Sequence, residues 1–274
     1  MFHLWTHSKQ YTIWILSFII MFSLFIEISS VVYGESLDEY TMQRTRGGVW
    51  AGVGIDSGSL EMSAEEANIK SRFDLLPSLV LGGDWWENES LGLFALAQVG
   101  LSAQLTLPDS VNANDIQLNQ HRFQFGGIYQ LHLNSRPNSL ALRFRLGMHA
   151  LLQSAPDQQP VFFVDSTHVG PELGLGIFFP FNNQMWLELD NRMGIPFLVR
   201  EEQADSGLIE TAVQLTSSLS FVAQLSSIMG VKVLASFSQY EMQFSDFGTR
   251  AKGVTNAKTF DQILGGGVAI WFQP

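Results

Sequence analysis

Along this chain, apolar and polar side chains change places residue by residue over unusually long runs. In 91–107 the odd positions Leu91, Leu93, Ala95, Ala97, Val99, Leu101, Ala103, Leu105 and Leu107 are apolar, with Gly92, Gln98, Gly100, Ser102, Gln104 and Thr106 between them. In 121–133, Phe123, Phe125, Tyr129, Leu131 and Leu133 oppose Arg122, Gln124, Gln130 and His132. In 140–152, Leu140, Leu142, Phe144, Leu146, Met148 and Ala150 oppose Arg143, Arg145, Gly147 and His149. A period of two is the mark of a strand whose faces meet different surroundings. These runs outlast the usual strand of about 5–6 residues and suit strands that tilt across a bilayer. Ten can be drawn, over 47–56, 72–85, 91–107, 117–133, 140–153, 168–180, 185–200, 211–225, 230–244 and 259–272. Pro77 and Pro171 interrupt two of them, because proline removes a ladder donor.

The connections point to an architecture. After even-numbered runs they are short: 86–90, 134–139, 181–184 and 226–229. After odd-numbered runs they are longer: 57–71, 108–116, 154–167, 201–210 and 245–258. Short turns at one end and long loops at the other describe an antiparallel up-and-down transmembrane β-barrel. About ten strands are expected, with eight or twelve as the nearest alternative counts.

The start of the chain follows another pattern. Residues 13–26, IWILSFIIMFSLFI, are apolar, with Lys9 before them and Glu27, Ser29 and Ser30 after. A charged start, an apolar centre and a small-residue exit make a secretory signal peptide, whereas a membrane helix needs about 20 apolar residues. The expected layout is a cleaved signal over 1–34, a short periplasmic lead over 35–46 and a barrel over 47–274. No later stretch is apolar enough for a second membrane helix.

Composition then removes function classes. A net charge of −11 argues against nucleic acid, whose phosphates call for a basic face. With no cysteine among 274 residues, disulfides, a cysteine nucleophile and a thiolate metal site are all excluded. The glycine run Gly265–Gly267 enters a strand rather than a helix, so a phosphate cradle fails on context. No metal site and no cofactor are expected.

The last strand carries the sharpest token, Gly267-Val268-Ala269-Ile270-Trp271-Phe272. A glycine followed by alternating apolar positions and a final aromatic resembles the terminal strand of bacterial outer-membrane β-barrel proteins. In this chain Gln273 and Pro274 follow the aromatic. The resemblance implies location in the outer membrane, with membrane lipid and lipopolysaccharide as surroundings. It also implies recognition of Gly267, Ile270 and Phe272 by the barrel-assembly machinery.

Three groups of side chains are candidates for a role. Trp50, Trp85, Trp86, Phe179, Trp186 and Trp271 fall near the short-turn ends, where an interfacial aromatic girdle is expected. The polar face, turned to the lumen, holds Arg122, Arg143, Arg145, His149, Glu172, Glu188, Asp190 and Arg192. Charges in a narrow interior persist when paired, so Arg143 and Arg145 are expected to meet Glu188 and Asp190. Arg192 and Arg122 would join them, and His149 would pair with Glu172 one layer higher. Asp165, Ser166 and His168 hold the ingredients of a hydrolase. They are close in sequence, however, whereas triads join separate elements, and a solvated loop is the expectation there. Glu61, Glu65, Glu66, Asp157, Glu201, Glu202, Asp205 and Asp246 would form an acidic rim able to bridge divalent cations to lipopolysaccharide.

A non-enzymatic barrel, structural or surface-interacting, with a lumen filled by a polar and charged network, accounts for these features. A narrow channel for small solutes is the alternative, and a hydrolase at the external rim a further one. Ligand and oligomeric state have no signature in the sequence.

Overall fold

The computed structural model describes residues 47–64, 67–106, 116–134, 139–155, 163–182, 184–250 and 255–273. The signal peptide and lead, residues 1–46, lie outside the described residues. Alternation becomes twelve strands: β1 (Gly48–Ala64), β2 (Ala67–Trp86), β3 (Leu91–Gly100), β4 (Ala103–Leu105), β5 (Ile116–His132), β6 (Ala141–Ser154), β7 (Asp165–Pro180), β8 (Met185–Gly194), β9 (Leu198–Glu202), β10 (Leu208–Gln224), β11 (Met229–Ser245) and β12 (Lys258–Phe272). Ten form the wall, each antiparallel to its neighbours. The first wall strand pairs with the last and β3 pairs with β5, so the barrel is closed. The short strands β4 and β9 resume interrupted staves and pair with β5 and β7.

The two prolines locate those interruptions. Pro77 and Pro171 sit inside β2 and β7, and the neighbouring stave breaks opposite each. Leu101 donates its backbone N–H to the Pro77 carbonyl at 2.8 Å, one residue past the end of β3. Ile195 does the same to Pro171 at 3.1 Å, one residue past the end of β8. A residue with no N–H can accept from a ladder but cannot return the bond. After the first break the phase changes. Ala103 and Leu105 are buried inward, not on the outer face with Leu91–Val99 where unbroken alternation would place them.

Outward positions from the short-turn end upward are apolar and exposed, among them Val53, Leu81, Leu93, Phe125, Leu146, Leu173 and Val268. With no water to serve stray backbone groups, hydrocarbon favours a closed barrel with a greasy exterior. Two outward polar residues within this band satisfy each other, as Ser217 Oγ donates to Asn191 Oδ1 at 2.6 Å. Beyond Ile55, Phe237 and Leu264 the exterior turns polar, with Ser57, Ser59, Glu61, Gln239, Glu241 and Gln262. The wall does not end there. β1 and β2 stay paired up to Ala64 and Ala67, so most of the long loop expected over 57–71 is paired strand. A bulge at Asp74–Leu75, where the register shifts between Asp56 and Gly58, carries β2 through the change of surroundings.

Inside this upper wall lies the apolar core. Leu60, Met62, Phe73, Leu76, Leu118, Leu151, Met242 and Ile263 meet across the barrel with almost no exposure. A smaller cluster closes the opposite end: Ala141, Phe178, Trp186 and Val222, with Trp271 packed against it.

Candidate functional site

The lumen at membrane depth is where the polar faces converge. Its floor is aromatic. Trp50, Trp86, Trp186 and Trp271 are level with the expected girdle but occupy inward-facing positions, which corrects their assignment to the lipid interface. Trp50 and Trp186 are each 8% exposed, and the rings of Trp186 and Trp271 meet edge-to-face at 5.6 Å. Three of the four fill a place vacated by a glycine. A Cβ on Gly48 would strike Trp271, one on Gly82 would strike Trp50, and one on Gly92 would strike Trp86. Trp85 does face outward and is exposed, while Phe179 is buried against Phe181, its ring 4.9 Å away.

Cations rest on this floor. Lys232 Nζ lies 4.0 Å from the centre of the Trp50 ring, and the Arg143 guanidinium lies 4.5 Å from that of Phe178. A cation over an aromatic face meets the negative side of the ring quadrupole. Both cations turn their remaining charge to one carboxylate, Glu188. Arg143 Nη1 donates to Glu188 Oε1 at 3.0 Å and Trp186 Nε1 donates to the same oxygen at 3.0 Å. Ser220 Oγ at 3.2 Å and Lys232 Nζ at 3.4 Å serve Oε2.

One layer higher, Asp190 Oδ2 lies 3.2 Å from Arg145 Nε and 3.4 Å from Arg192 Nε. Arg192 reaches on toward Glu172 at 3.8 Å and donates to Gln124 Oε1, while Gln124 Nε2 donates to Glu172 at 3.0 Å. Glycine makes the crossing possible. β7 runs between β6, which carries Arg143 and Arg145, and β8, which carries Glu188 and Asp190. It presents Gly174 and Gly176 opposite Arg145, Arg143, Arg192 and Asp190, with Phe178 opposite Glu188. A Cβ on Gly174 would stand 3.0 Å from Arg192 Cγ and 3.1 Å from Arg145 Cβ, so a larger residue would block the ion pairs.

At the top of the polar section Arg122 lies 3.9 Å from Asp56, which accepts from Gln98 Nε2 at 2.8 Å. Arg122 also lies over Tyr240, a member of the apolar core above. His149 does not join Glu172 as expected. Its ring packs beneath Gly194, where an added Cβ would lie 2.5 Å from Cε1. Lys232, Asp56 and Asp84 were not among the expected residues. They lie on the same parity as their strands' small and polar positions, which is the signal that could have found them. A cavity of about 120 Å³ remains among Asp84, Gln98, Arg145, Asp190, Gln214 and Ser236.

A second polar cluster lies above the apolar band, beneath the rim. Ser166 and His168 belong to β7 and are 8% and 2% exposed, so the solvated loop expected there is overturned. With Glu201, Arg250, Thr259 and Asp261 they line a cavity of about 30 Å³. Arg250 Nη2 lies 3.7 Å from Glu201 Oε1, and the carboxylate of Glu201 also accepts from Ser206 N at 2.6 Å and Ser206 Oγ at 3.0 Å. Burial draws the Arg250 guanidinium below its ordinary value while Glu201 and Asp261 pull it back. Asp165 is spent on structure, since its Oδ1 accepts from Ala155 N at 2.7 Å. Of the acidic rim, Glu201 is thus internal and Glu61 pairs with Lys70 at 3.1 Å. Glu65, Glu66 and Asp157 lie outside the described residues. Among the described residues no group of acidic or histidine side chains has the arrangement of a metal site.

In the terminal strand Ile270 and Phe272 point outward and are exposed, and Gly267 faces the lumen cavity.

No protein-family model and no curated protein matches the chain. Solved structures do resemble it. The outer membrane protease OmpT of Escherichia coli superposes with a TM-score of 0.58 at 10% identity, over 89% of this chain and all of that one. The outer membrane protein OprG of Pseudomonas aeruginosa gives a TM-score of 0.41 at 11% identity, over 84% and 98% of the two chains. At such identity the likeness is one of fold. The fold and its apolar exterior are those of a bacterial outer-membrane β-barrel.

Proposed function

We propose that this barrel is a closed, non-enzymatic envelope protein whose interior is a plug and whose work is done by its exterior and rim. The observation that carries the proposal is the stacking of three seals in one bore: the tryptophan floor, the ionic middle and the apolar core above. The middle balances its own charge. Arg122, Arg143, Arg145, Arg192 and Lys232 face Asp56, Asp84, Glu172, Glu188 and Asp190, five of each sign. An ion passing through would have to displace partners already paired in a low-dielectric space. Ten strands also enclose little more than the eight-stranded barrel that side chains just fill, far from the 16–18 strands of porins.

The rim cluster favours structure over catalysis. Ser166 and His168 face a cavity with room for about one or two waters, too small for a peptide or lipid bond to enter. In the same reading Gly267, Ile270 and Phe272 serve assembly of the barrel, and lipopolysaccharide surrounds the upper wall.

Planar-bilayer recording tests the plug. The purified chain should give no conductance steps at any applied potential. Discrete, reproducible steps that vanish when the protein is omitted would overturn the plug in favour of a narrow channel for small solutes.

A further inference from the structure

The lipid-facing wall is not uniform. Across five adjacent strands the register aligns Trp85, Leu93, Gly127, Leu146 and Leu173. A row of large apolar side chains is thus interrupted at its centre by a glycine, leaving a groove of about 810 Å³. Tyr129 and Phe144, their ring centres 6.3 Å apart, wall it toward the short-turn end. Glu87, in the turn between β2 and β3, lines that same end.

The fold does not require this glycine. Its φ is not positive, and an added Cβ would meet nothing nearer than the Gly92 carbonyl oxygen at 3.9 Å. Its neighbours differ: a Cβ on Gly126 or Gly147 would strike a carbonyl oxygen across the ladder, that of Leu146 or Phe125. Glycine in a strand interior weakens the strand and packs nothing. At Gly127, then, the missing side chain keeps a space open at some cost to the wall.

The surroundings say what fits the space. The groove lies within the apolar band, so its contents are hydrocarbon. Its short-turn end opens at the periplasmic leaflet, where Glu87 places a carboxylate. That carboxylate attracts an ammonium group and repels an anionic one. We infer that this groove is a binding site for a periplasmic-leaflet phospholipid with an ammonium headgroup. An acyl chain crosses Gly127 and the headgroup meets Glu87. The site is independent of whether the lumen conducts.

Native mass spectrometry of the full chain in detergent, offered equal amounts of dioleoyl phosphatidylethanolamine and dioleoyl phosphatidylglycerol, tests this. The ethanolamine lipid should be retained about threefold over the glycerol lipid, the scale of an exposed ion pair. Gly127→Leu should cut retention of both about tenfold by filling the groove. Val233→Leu, which adds bulk on the opposite wall, should leave retention unchanged. Glu87→Gln should keep lipid bound and erase the preference. Each variant is first shown to be folded by its heat-modifiable migration on electrophoresis, and Leu93→Phe narrows the same groove should Gly127→Leu not fold. Equal retention of the two lipids, or undiminished retention in both groove variants, overturns the site. So does a wild-type dimer that Gly127→Leu dissociates, since a second copy would then be the occupant.

Discussion

The bore of this barrel is filled twice, by opposite chemistries. At membrane depth the inward positions are Arg143, Arg145, Glu188, Asp190, Arg192 and Lys232; a few residues higher, on the same strands or their neighbours, they are Leu60, Met62, Phe73, Leu118, Leu151 and Met242. The exterior changes at the same level and in the opposite sense, from Val53, Ile55, Val268 and Leu264 to Ser57, Ser59, Glu61 and Gln262. Below the boundary the wall is greasy outside and ionic inside, as hydrocarbon demands. Above it the wall is polar outside and greasy inside, as water demands. One continuous hydrogen-bonded sheet serves both solvents by exchanging the faces on which its apolar residues lie. The lesson is that an apolar core inside a membrane barrel marks where the protein leaves the membrane.

The two fillings should fail differently. Glu188→Ala has the largest expected effect, because it strands Arg143, Lys232, Ser220 and the Trp186 N–H around an empty site. Removing one member of a buried ion network costs about 3–5 kcal/mol, and urea unfolding of the folded barrel in lipid vesicles should show a loss on that scale. Replacing the charges together should be milder: Glu188→Gln with Lys232→Met should recover a large part of the loss. A single substitution as damaging as the double would show that charge pairing is not what holds the middle together. In the upper core the expected failure is a cavity. Leu118→Ala, at a fully buried position, should cost about 3 kcal/mol with no dependence on salt or on a second site. A loss below about 0.5 kcal/mol, the scale of an indifferent surface change, would mean that the upper bore is loosely filled and not a seal.

Much of this was legible in the sequence, and what was not has physical causes. Period-two alternation located all ten wall strands, because lipid outside and polar groups inside keep one phase along each stave. The strands were cut short where the phase inverts. Between Ile55 and Leu60 on β1 the apolar residues move from odd to even positions, so the pattern looks lost while the strand continues to Ala64. Ser166 and His168 were hidden differently: β7 keeps one phase, with Thr167 and Val169 facing out, but Asp165–His168 is polar at every position and shows no alternation. The tryptophans are another matter. Trp186 shares the parity of Glu188 and Asp190, and Trp50 lies between the outward Val49 and Ala51; their level in the sequence suggested an interface, but parity already placed them in the bore. Lys232 was readable by the same rule. Arg250 was not, because it enters the rim cluster from the segment between β11 and β12, where no period exists to place it.

The smallest effects locate the boundary itself. Val53 and Ser59 both face outward on β1, three outward positions apart, one paired with Val268 in the middle of the apolar band and the other with Gln262 above it. The same substitution tests both. Val53→Arg puts a guanidinium into hydrocarbon and should cost about 2–4 kcal/mol, the range for a cation at the bilayer midplane. Ser59→Arg puts it into the headgroup region or water, where the side chain can lie along the wall with its charge hydrated, and should cost about 0–1 kcal/mol. Unfolding in vesicles of shorter-chain lipid should shrink the Val53→Arg penalty as the bilayer thins and leave Ser59→Arg where it was. Equal penalties at the two sites would place both in the same solvent. The exchange of faces at Ile55–Leu60 would then reflect the packing of the barrel alone and not the edge of the membrane.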